Sequence, residues 1–272
     1  MPQLTVRIDN NVALVTISNP PEGFMNAQTL EELGSAVETL EADDRVRAVV
    51  FTGGVDGVFI RHYDVRDLEK MAHGLRERKI AFSDDRLIPE RDIDRLFHRM
   101  ETSAKPMIAA INGFCMGGGL EFSLACDFRI AADGDYSLGP IEVNLGILPG
   151  AGGTVKLARL LGVGKALELC LLGRAISPRE AAQIGLVHQT VAGDAVERAL
   201  ALAGELAAKP PKAIAHIKRL IRESAPPATE ALLGLERTLF LDLLVSDEAV
   251  ELMSGLNRGE FDVRTGPRRP GR

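Results

Sequence analysis

Three consecutive glycines, Gly117-Gly118-Gly119, separate a short apolar run from an apolar stretch of helical character, and few folds accept that arrangement. The run at 106–111 reads as a buried strand, Asn112-Gly113 as a turn, and 117–126 as a helix. Glycine is a poor helix former, so three of them at a helix start call for a reason. One reason is packing, because glycines let two backbones approach closely. The other is chemical. The first N–H groups of a helix lack intrahelical acceptors and carry the positive end of its dipole. A developing oxyanion suits such a place. Glu121 follows within the first turn, close enough to act on a ligand held there. The glycines alone leave both readings open.

The rest of the chain alternates strands and helices up to about residue 195. Residues 4–8 and 12–17 read as a hairpin, 28–41 as a helix with Leu30, Leu33, Val37 and Leu40 on one face, and 46–52 as an apolar strand. A similar order returns later: strand 106–111, helix 117–126, strand 127–132, a turn at Asp133-Gly134-Asp135 and a short strand 136–139. Two strands per helix point to a coil of ββα units rather than a doubly wound sheet, although no sequence repeat is visible. The charged segment 65–95 reads as a helix, a mobile loop and a second helix entering near Arg91; it suits a lid, or a plain solvated surface. A second glycine-rich turn, 147–154, leads into a helix, and Ser177-Pro178-Arg179-Glu180 starts another. From residue 194 the chain reads as four helices, 194–208, 211–223, 229–244 and 246–256, broken at Pro210-Pro211 and Pro226-Pro227. The expected organisation is a core over 1–195, a helical oligomerisation region over 196–258 and a flexible tail over 259–272.

Composition excludes several classes. At 272 residues and 46% hydrophobic, the chain can bury a large core. A net charge of −6 argues against a nucleic-acid surface. No apolar run reaches a membrane span, and residues 1–10 lack the pattern of a secretory signal, so a cytoplasmic location is expected. Cys115, Cys126 and Cys170 lie in apolar runs without CxxC spacing, as buried reduced thiols do, and the five histidines are scattered, so no metal is expected. Gly164-Lys165 fails as a phosphate loop, with Arg159 where the first glycine belongs and Ala166 in place of Ser or Thr.

Three stretches taken together resemble the enoyl-CoA hydratase/isomerase (crotonase) superfamily: Lys105 through Gly113, Gly117-Gly118-Gly119-Leu120-Glu121, and Gly139 through Thr154. The likeness runs from about residue 4 to 256. It implies an α/β fold, a crotonase-like superhelix of ββα units with a C-terminal all-helical region that assembles a homotrimer or a dimer of trimers. It also implies an acyl-CoA thioester substrate whose carbonyl oxygen sits between two main-chain N–H groups, with no cofactor beyond the coenzyme A moiety. One donor is then Gly118. The other falls on Tyr63, in the loop Phe59-Ile60-Arg61-His62-Tyr63-Asp64 that the family usually writes F-x-A-G-A-D. Arg61, His62 and Tyr63 replace three small residues there. The backbone donor survives the change, the Tyr63 ring stands where it can reshape the acyl pocket, and Arg61 becomes a candidate for a CoA phosphate or an ordinary solvated arginine. The segment 23–27, with Met25 and Ala27, resembles the family's backbone contacts to CoA.

Polarising the thioester carbonyl makes the β-carbon of a 2-enoyl group electrophilic, and hydration then needs one group to activate water and one to protonate the α-carbon. By resemblance these are Glu121 and Glu142, one residue further apart than the family's two glutamates; the turn at 133–135 absorbs the extra residue. The leading expectation is an enoyl-CoA hydratase forming a 3-hydroxyacyl-CoA. Isomerisation, decarboxylation or thioester hydrolysis of another acyl-CoA uses the same oxyanion site, and a non-catalytic acyl-CoA-binding protein is the alternative outside enzymology.

Overall fold

A computed structural model describes residues 1–83, 85–224 and 230–267. The chain opens with an antiparallel hairpin, β1 (Leu4–Asp9) and β2 (Val12–Ile17), turned by Asn10 and Asn11 in the left-handed region that asparagine tolerates. Helix α1 (Ala27–Ala42) starts at a reciprocal cap: Asn26 accepts from Thr29 N–H, and Thr29 Oγ1 accepts from Asn26 N–H. Its Leu33, Val37 and Leu40, spaced at the helical period, are buried.

Next come β3 (Ala48–Gly53), β4 (Val58–Ile60), α2 (Val65–Glu77), α3 (Asp92–Thr102), β5 (Met107–Ile111), β6 (Phe114–Met116), α4 (Gly118–Ala125), β7 (Phe128–Ala132) and β8 (Leu138–Gly139). Each pair of successive strands divides between two sheets. β3, β5 and β7 join a six-stranded sheet ordered β1-β2-β3-β5-β7-β9, where β9 is Gln189–Val191, while β4, β6 and β8 form a parallel sheet of three. In the large sheet the opening hairpin pairs antiparallel and the remaining neighbours pair parallel. This is the coil of strand-strand-helix units expected from the sequence. The strands missed there, β4, β6 and β9, have three residues each, too few to show a period.

The segment after β8 holds a 3-10 turn, Glu142–Leu145, then α5 (Gly153–Leu161), α6 (Val163–Leu172) and α7 (Pro178–Gln183). The four expected C-terminal helices are α8 (Ala195–Ala207), α9 (Pro211–Ser224), α10 (Glu230–Leu244) and α11 (Asp247–Asn257). The break at Pro226-Pro227 lies outside the described residues.

Both faces of the large sheet are covered, which explains why β3 and β5 read as continuous apolar runs. One face packs on α1, α3 and α4, with Phe122 set edge-on to Phe51 at 5.2 Å and to Phe97 at 6.0 Å. On the other, Ala195, Ala199 and Ala203 of α8 lie against Val50, Ile108 and Ile130. Buried Arg129 gathers carbonyls where α4 ends, donating to Cys126 O at 3.0 Å and Ser123 O at 3.3 Å, and to Leu186 O at 2.8 Å. Those contacts hold α4 from its C-terminal end.

Helices α10 and α11 pack with α2 and the 3-10 turn in a separate apolar cluster. The loop between α2 and α3, expected to be mobile, is anchored at Ile88: its N–H donates to Thr238 Oγ1 at 3.0 Å, and its carbonyl accepts from Arg237 Nε at 2.9 Å. Of the tail expected to be flexible, residues 259–267 fold back on the core. Val263 is buried, and its carbonyl accepts from Asn144 Nδ2 at 2.9 Å. Residues 268–272 lie outside the described residues.

Candidate active site

The three glycines divide their work. Gly117 has φ +50°, a backbone that side chains rarely adopt. A Cβ on Gly119 would overlap the Ile60 carbonyl oxygen, so this glycine exists for close packing of two backbones. A Cβ on Gly118 would meet no main chain so closely; it would stand 2.9 Å from Met25 Cε and 3.5 Å from Tyr63 N. Gly118 is the first residue of α4, where an N–H has no intrahelical acceptor.

Tyr63 reaches the same spot through its neighbours. Met25 N–H donates to His62 O at 2.9 Å, and Asp64 N–H to Met25 O at 2.8 Å, which turns the Tyr63 N–H away from Met25. Among the described residues that N–H has no acceptor. Two bare main-chain donors therefore lie side by side, as an oxyanion hole requires.

Two carboxyl groups face the same cavity. Glu121, on the first turn of α4, is 5% exposed; its Oε1 accepts from Ala151 N–H at 2.7 Å and Gly153 N–H at 3.0 Å. Burial, reinforced by the nearby Glu236 carboxylate, raises its pKa to about 7 despite those two hydrogen bonds. Glu142, which opens the 3-10 turn, is 8% exposed, and its Oε2 is buried without a hydrogen-bond partner. Burial and the Glu121 charge hold its pKa well above the ordinary 4.5. The site thus pairs two buried carboxyls that keep their protons to higher pH than an ordinary glutamate does, Glu121 to about 7.

The cavity, about 910 Å³, has the glycine turn and both glutamates in its wall. One end is apolar, with Leu68, Met71, Ile141, Leu145, Ile147 and Phe240; the other runs between α1 and α3 past Glu38, Arg95 and Arg99. Ala27 and the Tyr63 side chain line it as well.

Met25 and Arg61 sit differently from their sequence expectation. The Met25 main chain is used up by its pairing with 62–64, so its N–H and C=O are not open to a ligand; its side chain instead packs beneath Gly118. Arg61 does not line the cavity: Nε donates to Glu22 O at 2.8 Å and the guanidinium lies 4.9 Å from the centre of the Phe114 ring. His62 is buried against Phe24, with its Nδ1 2.7 Å from Tyr63 O, and burial lowers its pKa to about 4, which keeps it neutral.

Sequence reasoning missed Glu236 on α10. Its Oε2 accepts from Gly152 N–H at 2.5 Å, and its Oε1 from Thr154 N–H at 3.2 Å and from the Thr154 hydroxyl. A signal was present: Glu236 stands four residues before Phe240 on the buried stripe of α10, where a lone carboxylate needs a partner. Arg91 was noted only as a helix start. It also holds the turn, donating to the Gly150 carbonyl while paired with Asp94.

A coil of ββα units, two open N–H groups at a glycine turn and buried carboxyls on one cavity define a crotonase-superfamily protein. The sequence profile of the enoyl-CoA hydratase/isomerase family matches residues 7–260, and the chain belongs to that family. It is 37% identical over 254 residues to a Bacillus subtilis (strain 168) protein named "Probable enoyl-CoA hydratase", covering 92% of this chain and 94% of that one. The short-chain-enoyl-CoA hydratase of Clostridium acetobutylicum is 32% identical, covering 90% and 91%. A crystal structure from Streptomyces avermitilis, 30% identical, superposes with a TM-score of 0.82 over 96% of each chain.

Proposed function

We propose that the protein is an enoyl-CoA hydratase, adding water across the double bond of a 2-enoyl-CoA to give a 3-hydroxyacyl-CoA. The observation that carries this reading is the pair of buried carboxyls on a single cavity beside two open N–H donors, both with pKa values raised by burial. In this mechanism the thioester oxygen accepts from Gly118 and Tyr63 N–H, which stabilises the enolate. Glu121, fixed through Oε1, takes a proton from water with its other oxygen as that water attacks the β-carbon. Glu142 gives its proton to the α-carbon. Each regains its starting state by proton exchange with solvent. The apolar end past Ile147 and Phe240 receives the acyl chain, and coenzyme A leaves along the charged end, with no metal or redox group taking part.

The proposed state is a trimer or dimer of trimers in the cytoplasm; two apolar faces support association between copies, Ile217, Leu220 and Ile221 on α9, and Val163, Leu167, Leu171 and Leu172 on α6, all exposed in the single chain. No helix among the described residues is long and apolar enough to cross a membrane.

The test is loss of the conjugated enoyl-thioester absorbance with short and medium 2-enoyl-CoA, in the native protein and in Glu121→Gln. Rapid loss that the substitution abolishes is the expected result. A native protein that binds CoA thioesters and leaves the absorbance unchanged overturns the reading.

A further inference from the structure

The turn 150–154 presents four successive N–H groups to two carboxylates, and it deals them out alternately. Ala151 and Gly153 donate to Glu121; Gly152 and Thr154 donate to Glu236. The two glutamates come from helices 115 positions apart in the chain yet share one turn at the start of α5. Gly152 and Gly153 have no side chains with which to fix their N–H directions; the turn is held by Arg91 at the Gly150 carbonyl, by the Thr154 hydroxyl on Glu236, and by the two carboxylates that accept its N–H groups. Glu236 is 6% exposed and borders a second, small chamber of about 50 Å³ on the side of the turn away from the substrate cavity.

We propose that Glu236 is a positioning residue for Glu121: by binding the alternate N–H groups of their shared turn, it orients the two that hold Glu121 and sets a negative charge behind it. This rests on the reading of Glu121 as the group that activates water. The geometry has two consequences. Glu121 is held through one oxygen only, so the other stays free for water. Its second consequence is electrostatic, because an ionised Glu236 opposes a second negative charge close by and makes Glu121 a better proton acceptor than an ordinary glutamate.

The charges around the pair are mixed. Lys156 of α5, paired with Glu101 of α3 at 3.1 Å, attracts both carboxylates, and the charges of both reach Glu142 of the 3-10 turn and raise its pKa. Arg237, next to Glu236, turns to Glu230, Asp94 and the Ile88 carbonyl instead. Asp94, His98 and Glu90 line the far wall of the small chamber. Glu236 keeps three donors against the two of Glu121, so it ionises first and Glu121 titrates against its charge. A residue that merely caps α5 would stabilise the fold without altering the Glu121 titration.

The experiment follows the carboxyl carbons of the full-length protein, labelled at glutamate Cδ, by NMR between pH 5 and pH 9, with Glu121→Gln used to assign Glu121. In Glu236→Gln the Glu121 titration is expected to move down by at least about half a pH unit. In the same variant the acid limb of kcat/KM for 2-enoyl-CoA moves down with it, and KM changes little. Glu236→Asp, which keeps the charge, leaves the titration elevated while lowering kcat. A folded Glu236→Gln protein whose Glu121 titrates as in the native protein overturns the proposal. So does a native protein in which Glu236 ionises after Glu121, a result that requires no variant to fold. The NMR arm needs no substrate, so absence of hydration in the native protein refutes the proposed function alone. Hydration with an unmoved titration refutes this inference alone.

Discussion

Glu121 stores a measurable amount of free energy, and Glu121→Gln should release it. Its pKa is raised from 4.5 to about 7, chiefly by burial. Between those values the folded chain holds a proton that the unfolded chain has lost, so stability falls as pH rises through this window and levels off outside it. At about 1.4 kcal/mol per unit, the loss from this residue is about 3 kcal/mol between pH 4.5 and pH 8. Glutamine fits the same place: its oxygen can accept from Ala151 and Gly153 N–H as Glu121 Oε1 does, which leaves its amide toward the cavity. The assay is urea unfolding at pH 5, 6, 7 and 8, at one protein concentration so that assembly does not alter the comparison. The native protein should lose about 2 to 3 kcal/mol more over this range than Glu121→Gln. Equal pH slopes for the two proteins would refute the argument, because the buried carboxyl would then carry no ionisation penalty.

Three further outcomes are expected. Glu142→Gln should lower kcat by about 100-fold or more, since the proposed proton donor is lost, and should not destabilise the fold, because Oε2 has no partner to lose; steady-state kinetics with thermal melts would expose a near-neutral effect on kcat as evidence that the proton comes from elsewhere. Gly118→Ala and Gly119→Ala should differ in kind. The first meets a flexible methionine end and should keep the fold while kcat falls by about 100-fold; the second drives a methyl into the Ile60 carbonyl and should cost more than about 2 kcal/mol of stability, so equal melts would contradict this division. Phe240→Ala should enlarge the apolar end of the cavity and raise kcat/KM for longer 2-enoyl chains relative to short ones; an unchanged ratio over a chain-length series would remove Phe240 from the acyl pocket.

What was legible in the sequence was local. The α1 stripe, the capped start at Ser177 and all four C-terminal helices followed from periodicity and caps, which act over a few residues. The strands of three residues did not, because their existence depends on partners elsewhere in the chain. The glycine run raised the correct question but not its answer: Gly118 and Gly119 are identical in sequence, and only the nearness of Ile60 O to one and Tyr63 N to the other separates their roles. Arg61 looked like a ligand for phosphate because a sequence gives charge without direction; Glu22 and Phe114 turn it elsewhere. Glu236 was passed over although it stands on the buried stripe of α10, because the N–H groups it binds belong to a turn more than 80 residues earlier in the chain.

The shared turn also bears on how the protein is made. The chain up to the start of α5 already contains Glu121, Glu142, Gly118 and the whole turn, yet two of the turn's four N–H groups still await acceptors supplied by residue 236. Only when α10 has been synthesised and docked does the turn acquire its full set of bonds. The wall of the cavity is therefore completed only after α10 has joined it, and a chain truncated before α10 would be expected to carry every residue proposed for the chemistry and still lack a finished place to perform it.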